Sequence, residues 1–492
     1  MQLANTKLLK TTPAKLSDSN LIRQAEFLAL IAVSVVVCRL AFEESLGWMA
    51  WVAIGAAVVL LTVSRWPYGA FIVLIASSVT PRFLIEVFGW NARPEHFAVT
   101  LISLFIGVWL LRHRGEVRLE KLDYWVLTYV VLNYFSSAFR SSEPSATLRW
   151  ALQNNLAVLP YFVIRFLVQD VGTLRRAFRI LLVVALAESA YGIVCFASHH
   201  AFGTAIGMET GAYFSDVAAP YGSLFEPNLF GAYAASCAVL FLSVYLGDSR
   251  HRSACMAGFL VASLATVLSL SRAALIAFVF AIIWMVQKAR RANTQWKWRA
   301  MILVPAVALV LLLIVPPIRA VLQERFANLF YEGLAEETTV TRYIAMGEAL
   351  KEIPAHPLLG SGTASFQLSF DWAKYVPEWS NNPTWISNVI VRIVHDTGLV
   401  GLILVLGFLI SIWRLVRQNL HQGTPETPIL LGLWAGTLLY CISFEATDGS
   451  MLAFTWVHFG FLASTAILAK GPMRYVNGGL MSASATTDQS QC

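Results

Sequence analysis

The sequence predicts an all-α integral membrane protein of about 12–14 transmembrane helices, with one large outer loop containing amphipathic helices. Three observations predict it. Hydrophobic residues make up 57% of the 492 and charged residues only 13%, against about 25% charged in ordinary soluble domains. The apolar residues gather into runs of roughly 20, the length that crosses a bilayer with every backbone group satisfied inside the helix. The basic residues alternate between the two ends of these runs. This composition excludes a disordered chain, a coiled coil and a disulfide-stapled mini-protein. It also argues against an ordinary soluble enzyme, which has no way to hide so much apolar surface from water. The six cysteines form no CxxC pair and five sit in or beside apolar runs, so they read as small buried hydrophobes. No metal site and no cofactor is expected.

Charged breaks divide the apolar runs into spans at about 25–42, 47–64, 67–88, 95–111, 122–139, 150–168, 177–198, 227–246, 254–270, 272–287, 300–317, 387–413, 428–446 and 449–469. Pro81 and Arg82 interrupt the third, and the ninth and tenth part only around Ser271-Arg272. Residues 1–24, with Lys7, Lys10, Lys15 and Arg23, form a cytoplasmic N-terminal segment. No small-x-small cleavage site follows, so the first span reads as an uncleaved anchor. Residues 25–470 form the polytopic membrane domain. The tail at 471–492, with Gly478, Gly479 and a Ser/Thr-rich end, reads as disordered and cytoplasmic.

With the N-terminus inside, most of the 36 Lys and Arg residues fall on inner segments. Short outer loops hold only Arg82, Arg93, Arg140, Arg149 and Arg272. That asymmetry persists through the whole series of spans, as the positive-inside rule requires, and puts both termini in the cytoplasm. The net charge of +7 is then mostly topology, and no nucleic-acid partner is needed to explain it.

Two outer loops stand out, at about 199–226 and about 318–386, both far longer than a helix hairpin needs. In the second, Glu337 to Glu352 carries Val340, Tyr343, Ile344, Met346 and Leu350 among polar residues. This pattern predicts an amphipathic helix on the membrane surface or over the bundle, ended by Pro354 and Pro357. Gly360-Ser361-Gly362 then makes a turn whose glycines let backbone N–H groups approach an anion. Phe366, Phe370, Trp372, Tyr375, Trp379 and Trp385 make this loop denser in aromatics than membrane anchoring requires; they suit sugar stacking and sealing of the loop onto the bundle equally well.

Charges inside a bilayer are expensive and mark functional sites by default. Arg39, Arg165 and Arg392 fall within spans and Arg272 at an outer break; snorkelling to headgroups is the plain alternative for each. Arginine grips phosphate oxygens bidentately and stays charged, so outer-face arginines fit a lipid-linked pyrophosphate, whose departure they would stabilise without a metal. Arg272, Arg342 and Arg392 are the candidates. An acceptor hydroxyl would need a base. His395 and Asp396, just before Gly398, are the catalytic candidates, with Glu226 and Asp448 as further outer carboxylates and Glu188 inside a span.

Several ordered motifs now matter together. They are Glu226-Pro227-Asn228-Leu229-Phe230-Gly231, Ser269-Leu270-Ser271-Arg272, Arg342, Pro357-Leu358-Leu359-Gly360-Ser361-Gly362, Asn388 and Asp396-Thr397-Gly398-Leu399-Val400-Gly401. In this order the set resembles the O-antigen ligase and O-antigen polymerase-like family of bacterial polytopic membrane proteins, over about 220–415. The resemblance implies glycan transfer from an undecaprenyl-pyrophosphate carrier to a glycan or lipid acceptor at the periplasmic face of the inner membrane. It implies no metal and no nucleotide. The partners it implies are the carrier-linked glycan, the acceptor, membrane lipids and polysaccharide-assembly proteins. Arg272 and Arg342 match family arginines and carry over as pyrophosphate or glycan contacts. Arg392, Arg165, Asn388, Glu226 and Asn228 complete the substrate-binding set. Ser387 stands where the family often has a histidine, which puts ligation to a lipid A-core in doubt; His395, eight residues on, is the substitute by helical spacing. The reading is therefore a polymerase or ligase of exopolysaccharide or O-antigen assembly. A transporter of a small solute or anion is the alternative, though no internal repeat of the kind transporters carry is visible.

Overall fold

A computed structural model describes residues 66–87, 90–112, 119–209, 218–247, 252–291, 337–375, 384–420, 424–470, 474–476 and 479–481. The expected spans at 25–42, 47–64 and 300–317, with Arg39, lie outside the described residues, as does the loop from 318 to 336.

The helices run in the expected order. They are α1 (Tyr68–Ser78), α2 (Pro94–Arg112), α3 (Lys121–Phe139), α4 (Pro144–Leu167), α5 (Val171–Phe202), α6 (Pro227–Gly247), α7 (Arg252–Leu268) and α8 (Arg272–Arg291). After the undescribed stretch come α9 (Glu337–Glu352), the short α10 (Phe366–Ser369), α11 (Val389–Leu420), α12 (Thr427–Ser443) and α13 (Ala453–Leu468). Strands are few and short. Ile85–Val87 pairs antiparallel with Trp90–Ala92, Met208–Glu209 with Ala219–Pro220, and Arg474–Val476 with Gly479–Met481. The protein is an all-α membrane protein. α5, α6 and α11 are each long and apolar enough to cross a bilayer.

The span expected at 67–88 is corrected: α1 stops at Ser78 and the chain turns into the small hairpin. Pro81 explains the stop, because a proline cannot continue a helix and biases the residue before it toward extended backbone. Elsewhere helix starts follow local chemistry. Pro94, Pro144, Pro227 and Pro428 open or nearly open their helices, where a missing N–H costs nothing. Glu120 and Asp123 form a reciprocal capping box on α3. Asp170 caps α5 by accepting from the Thr173 N–H at 2.9 Å, and the Thr173 hydroxyl and amide together hold its carboxyl below the usual range. Ser271 Oγ accepts from Ala274 N at 3.3 Å at the start of α8.

Among the three long apolar helices that are described, α6 is the most enclosed. Its apolar window is 83% buried, whereas those of α5 and α11 are 33% buried. All three are apolar, so the difference is in neighbours: α6 lies against α7, α8 and α12, and its run of Ala232, Ala234, Ala235 and Ala238 allows close helix approach. The exposed Leu, Val and Phe of α5 and α11 are the surface a bilayer covers.

The amphipathic helix expected at 337–352 is α9. Its Ala345 and Ala349 bury against Phe366 and Ile386, while Tyr343 and Leu350 stay exposed. Ile353–Ala355 forms a 3₁₀ turn at the expected proline stop. The loop is tied to α9 by Tyr375, whose hydroxyl donates to Glu348 at 2.7 Å. Ser369 adds a hydroxyl donating to Glu352 at 3.2 Å. Lys351, with help from Tyr375, holds the Glu348 carboxyl below the usual range.

Candidate functional site

The loop and α11 meet by a crossing of two backbones. Leu399 N donates to Pro357 O at 2.9 Å and Val400 N to Leu358 O at 3.1 Å. Ser361 N donates to His395 O at 2.8 Å and Gly362 N to Asp396 O at 3.1 Å. The two motifs that the sequence separates by some thirty residues are therefore the two halves of one joint. Gly398, with φ 68° and ψ −170°, breaks the helical path of α11 at this point. A Cβ at Gly398 would sit 2.2 Å from the Leu358 carbonyl, and one at Gly360 would sit 2.4 Å from Thr397 N. Only a residue without a side chain permits such contact.

This geometry corrects the expectation that Gly360-Ser361-Gly362 presents N–H groups to an anion. Gly360 N donates to His356 O at 2.9 Å, the next two amides are used in the joint, and Thr363 N donates to Ser137 Oγ at 3.0 Å. Ala364, held at φ 60°, donates its N–H to Asp396 Oδ2 at 3.2 Å. None of these five amides remains for a ligand.

Beside the joint runs a chain of charges. Asp448 pairs with Arg392 Nε, and Arg392 Nη1 lies 3.4 Å from Asp396 Oδ2. His395 Nδ1 lies 3.2 Å from Asp396 Oδ1 and Nε2 lies 2.9 Å from Glu352 Oε2. Arg392, His395 and Asp396 are all buried. Arg392 also donates to Ser450 Oγ, and Asp448 Oδ1 accepts from Ser450 N at 2.9 Å and Oγ at 2.7 Å. Buried charges persist only when paired and hydrogen-bonded, and each member of this chain is.

A cavity of about 520 Å³ with charged groups in a largely apolar wall opens against one end of the chain. Glu226 reaches it from the segment before α6, Arg342 from α9, Ser387 and Arg392 from the entry to α11, Asp448 from the α12–α13 connection and Arg93 from just before α2. Trp372 and Trp385 contribute aromatic wall. Two of its arginines are already compensated: Arg392 by Asp448 and Asp396, and Arg93 by Glu95 at 3.6 Å. Among the described residues nothing makes an ion pair or hydrogen bond with Arg342.

The structure thus brings Arg342, Arg392 and Glu226 of the expected set to one cavity. It does not bring the others there. Arg165 makes a bidentate pair with Asp123 at 3.1 and 3.2 Å, joined by the Tyr161 hydroxyl at 2.7 Å, which clamps α3 to α4. Asn388 caps α11 through Val391 N at 2.9 Å and donates to Glu445 Oε2 at 2.6 Å. Arg272 opens α8 and Asn228 is buried in the first turn of α6; neither lines the cavity. His395 and Asp396 also lie off the lining. The spacing argument that placed His395 on the face of Ser387 does not apply, because α11 begins only at Val389 and Ser387 precedes it. The sequence marks Arg93 only as an outer charge; besides the nearby Glu95 it contacts Met451 O at 3.5 Å, a partner more than three hundred residues away that no local pattern reveals. No group of three or more His, Cys, Asp or Glu residues suited to a metal ion occurs among the described residues.

Residues 257–406 match the family model described as O-antigen ligase. The O-antigen ligase-like segment contributes Arg342, Trp372, Trp385, Ser387 and Arg392 to the cavity, and both halves of the glycine joint. Glu226, Asp448 and Arg93 come from outside it. No curated protein matches the chain. The family supports a ligase- or polymerase-type membrane enzyme with lipid-linked glycan substrates.

Proposed function

We propose that the protein transfers a glycan from a polyprenyl-pyrophosphate carrier to a hydroxyl of a glycan or lipid acceptor, as a polymerase or ligase in exopolysaccharide or O-antigen assembly. The observation that carries this reading is Arg342, a cation with no partner among the described residues, in a cavity that also holds two compensated arginines and two tryptophans. Glycosyl transfer builds negative charge on the departing pyrophosphate, and a positioned guanidinium stabilises it more in the transition state than in the ground state. Arg392 is held rigidly by Asp448 and Asp396 and supplies a fixed second donor set. Trp372 and Trp385 offer apolar faces to sugar rings. The alternation of basic residues along the sequence supports a periplasmic location for this end of the bundle, with both termini cytoplasmic.

The test is complementation of a strain lacking the gene. Wild-type protein restores the polymer or the glycan-decorated lipid, and Arg342→Ala at equal protein level does not. Normal polymer yield and length in the deletion strain would refute the reading. Purified protein that moves a small anion across proteoliposomes without any lipid-linked glycan would favour transport instead.

A further inference from the structure

We propose that Glu226 is the general base that takes the proton from the acceptor hydroxyl. The inference rests on the glycosyl-transfer reading above and assigns a group that the reading leaves open.

Among the described residues that line the cavity, Glu226 and Asp448 are the carboxylates and none is a histidine. Asp448 is committed. One oxygen pairs with Arg392 Nε and the other accepts from both Ser450 N and Ser450 Oγ. Protonating it would break a buried ion pair. His395 is buried, and each of its ring nitrogens faces a carboxylate, of Glu352 and of Asp396. Glu226 differs from all of these. Its Oε1 accepts from the Thr447 hydroxyl, which fixes the carboxylate plane. Its Oε2 has no donor among the described residues.

The surroundings suit the task. Glu226 sits immediately before α6, the most buried of the three long apolar helices among the described residues, and its carbonyl accepts from Phe230 N at 3.1 Å, so its backbone is anchored on rigid structure. Its carboxylate shares the cavity with Arg342, and a base and a leaving-group cation in one cavity are the two groups a substitution at an anomeric carbon needs. In the step itself, a lone pair of the acceptor oxygen forms the new bond to the anomeric carbon. The bond from that carbon to the pyrophosphate oxygen breaks, its electron pair leaving with the pyrophosphate beside Arg342. The hydroxyl proton passes to Glu226 Oε2 and then to water. Atoms and charge balance without any further reactant.

The experiment uses full-length protein in lipid nanodiscs, with the polyprenyl-pyrophosphate glycan pool extracted from the encoding organism, and follows transferred glycan by gel. Binding of undecaprenyl pyrophosphate is measured on the same samples. The variants are Glu226→Gln, which keeps the Thr447 hydrogen bond, and Glu226→Asp, which keeps the base but shortens its reach. A general base contributes typically ~10²–10⁴-fold to rate. Glu226→Gln is therefore expected to lose at least about 100-fold in kcat with undecaprenyl pyrophosphate binding within about threefold of wild type, and Glu226→Asp to recover part of the rate. Wild-type turnover in Glu226→Gln overturns the assignment while the glycosyl-transfer reading stands. Equal loss of binding and rate in both variants also overturns it, making Glu226 structural. Absence of transfer by the wild type under conditions where it binds the probe overturns the reading on which the assignment rests.

Discussion

Replacing Gly398 with alanine tests the joint between the loop and α11. The backbone there is at φ 68° and ψ −170°, a region essentially reserved for glycine, which costs a residue with a Cβ about 1–3 kcal/mol. The new Cβ would also lie 2.2 Å from the Leu358 carbonyl, well inside contact distance and against backbone, which cannot rotate away. Overpacking of this kind costs typically 1–3 kcal/mol. The chains must then separate, which endangers the 2.9 Å and 3.1 Å hydrogen bonds from Leu399 and Val400, each contributing about 1 kcal/mol. A total of roughly 3 kcal/mol or more is expected. Thermal unfolding of purified protein in nanodiscs, followed by tryptophan fluorescence, reads the loss, and glycan transfer reads its reach to Arg392. Gly360→Ala should behave alike, and the double variant should fall short of the sum, because both substitutions break the same crossing. Gly347, in the middle of α9, is the control. A Cβ there meets nothing within 4 Å, so Gly347→Ala should stabilise by about 0.5–1 kcal/mol. Wild-type stability and transfer in Gly398→Ala would refute the interlock.

Substitutions at four other positions separate catalysis from architecture. Arg342→Ala should cut transfer by about 100-fold or more while leaving the unfolding midpoint unchanged, since no described partner loses an interaction; Arg342→Lys should retain part of the activity. Arg165→Ala leaves Asp123 buried without its cation and should cost roughly 3–5 kcal/mol in the same unfolding assay, with specific activity of the surviving folded protein preserved. Asn388→Ala removes the cap of α11 and should cost about 1 kcal/mol, most of it restored by Asn388→Ser. Asp170 contributes to the acid-side pH dependence of stability. Its folded-state carboxyl is held below the usual range by Thr173, so the unfolded chain binds the proton first. The stability it lends is complete above the ordinary carboxylate range and disappears as pH falls through the lowered value. Asp170→Asn should flatten that acid limb of the unfolding midpoint, and an unchanged limb would remove Asp170 from the account.

What was legible in the sequence was local. The apolar runs, the prolines and the capping residues mark helices because each acts within a few residues. That is why α9 falls at 337–352 and why span boundaries such as 227–246 lie close to α6. The uneven distribution of basic residues between the loops was visible too, because it needs only counting. The sequence did not reveal which charges are spoken for. Arg165 and Arg342 look alike on paper, yet one is gripped by Asp123 and Tyr161 and the other has no described partner.

The glycines show the same division. Their recurrence in Pro357–Gly362 and Asp396–Gly401 marked both segments as special. An anion nest and a backbone crossing demand the same residue, so sequence alone left the purpose open. His395 was singled out for its pKa range and its spacing from Ser387, but α11 starts too late for helical spacing to relate the two. The sequence by itself determined an all-α membrane protein and the places of most of its described helices. Only the tertiary structure decided that Glu226, Arg342 and Arg392 share one cavity and that His395 and Asp396 stand behind it. Contacts between residues a hundred or more positions apart depend on how packed helices place them, and no local pattern encodes that placement.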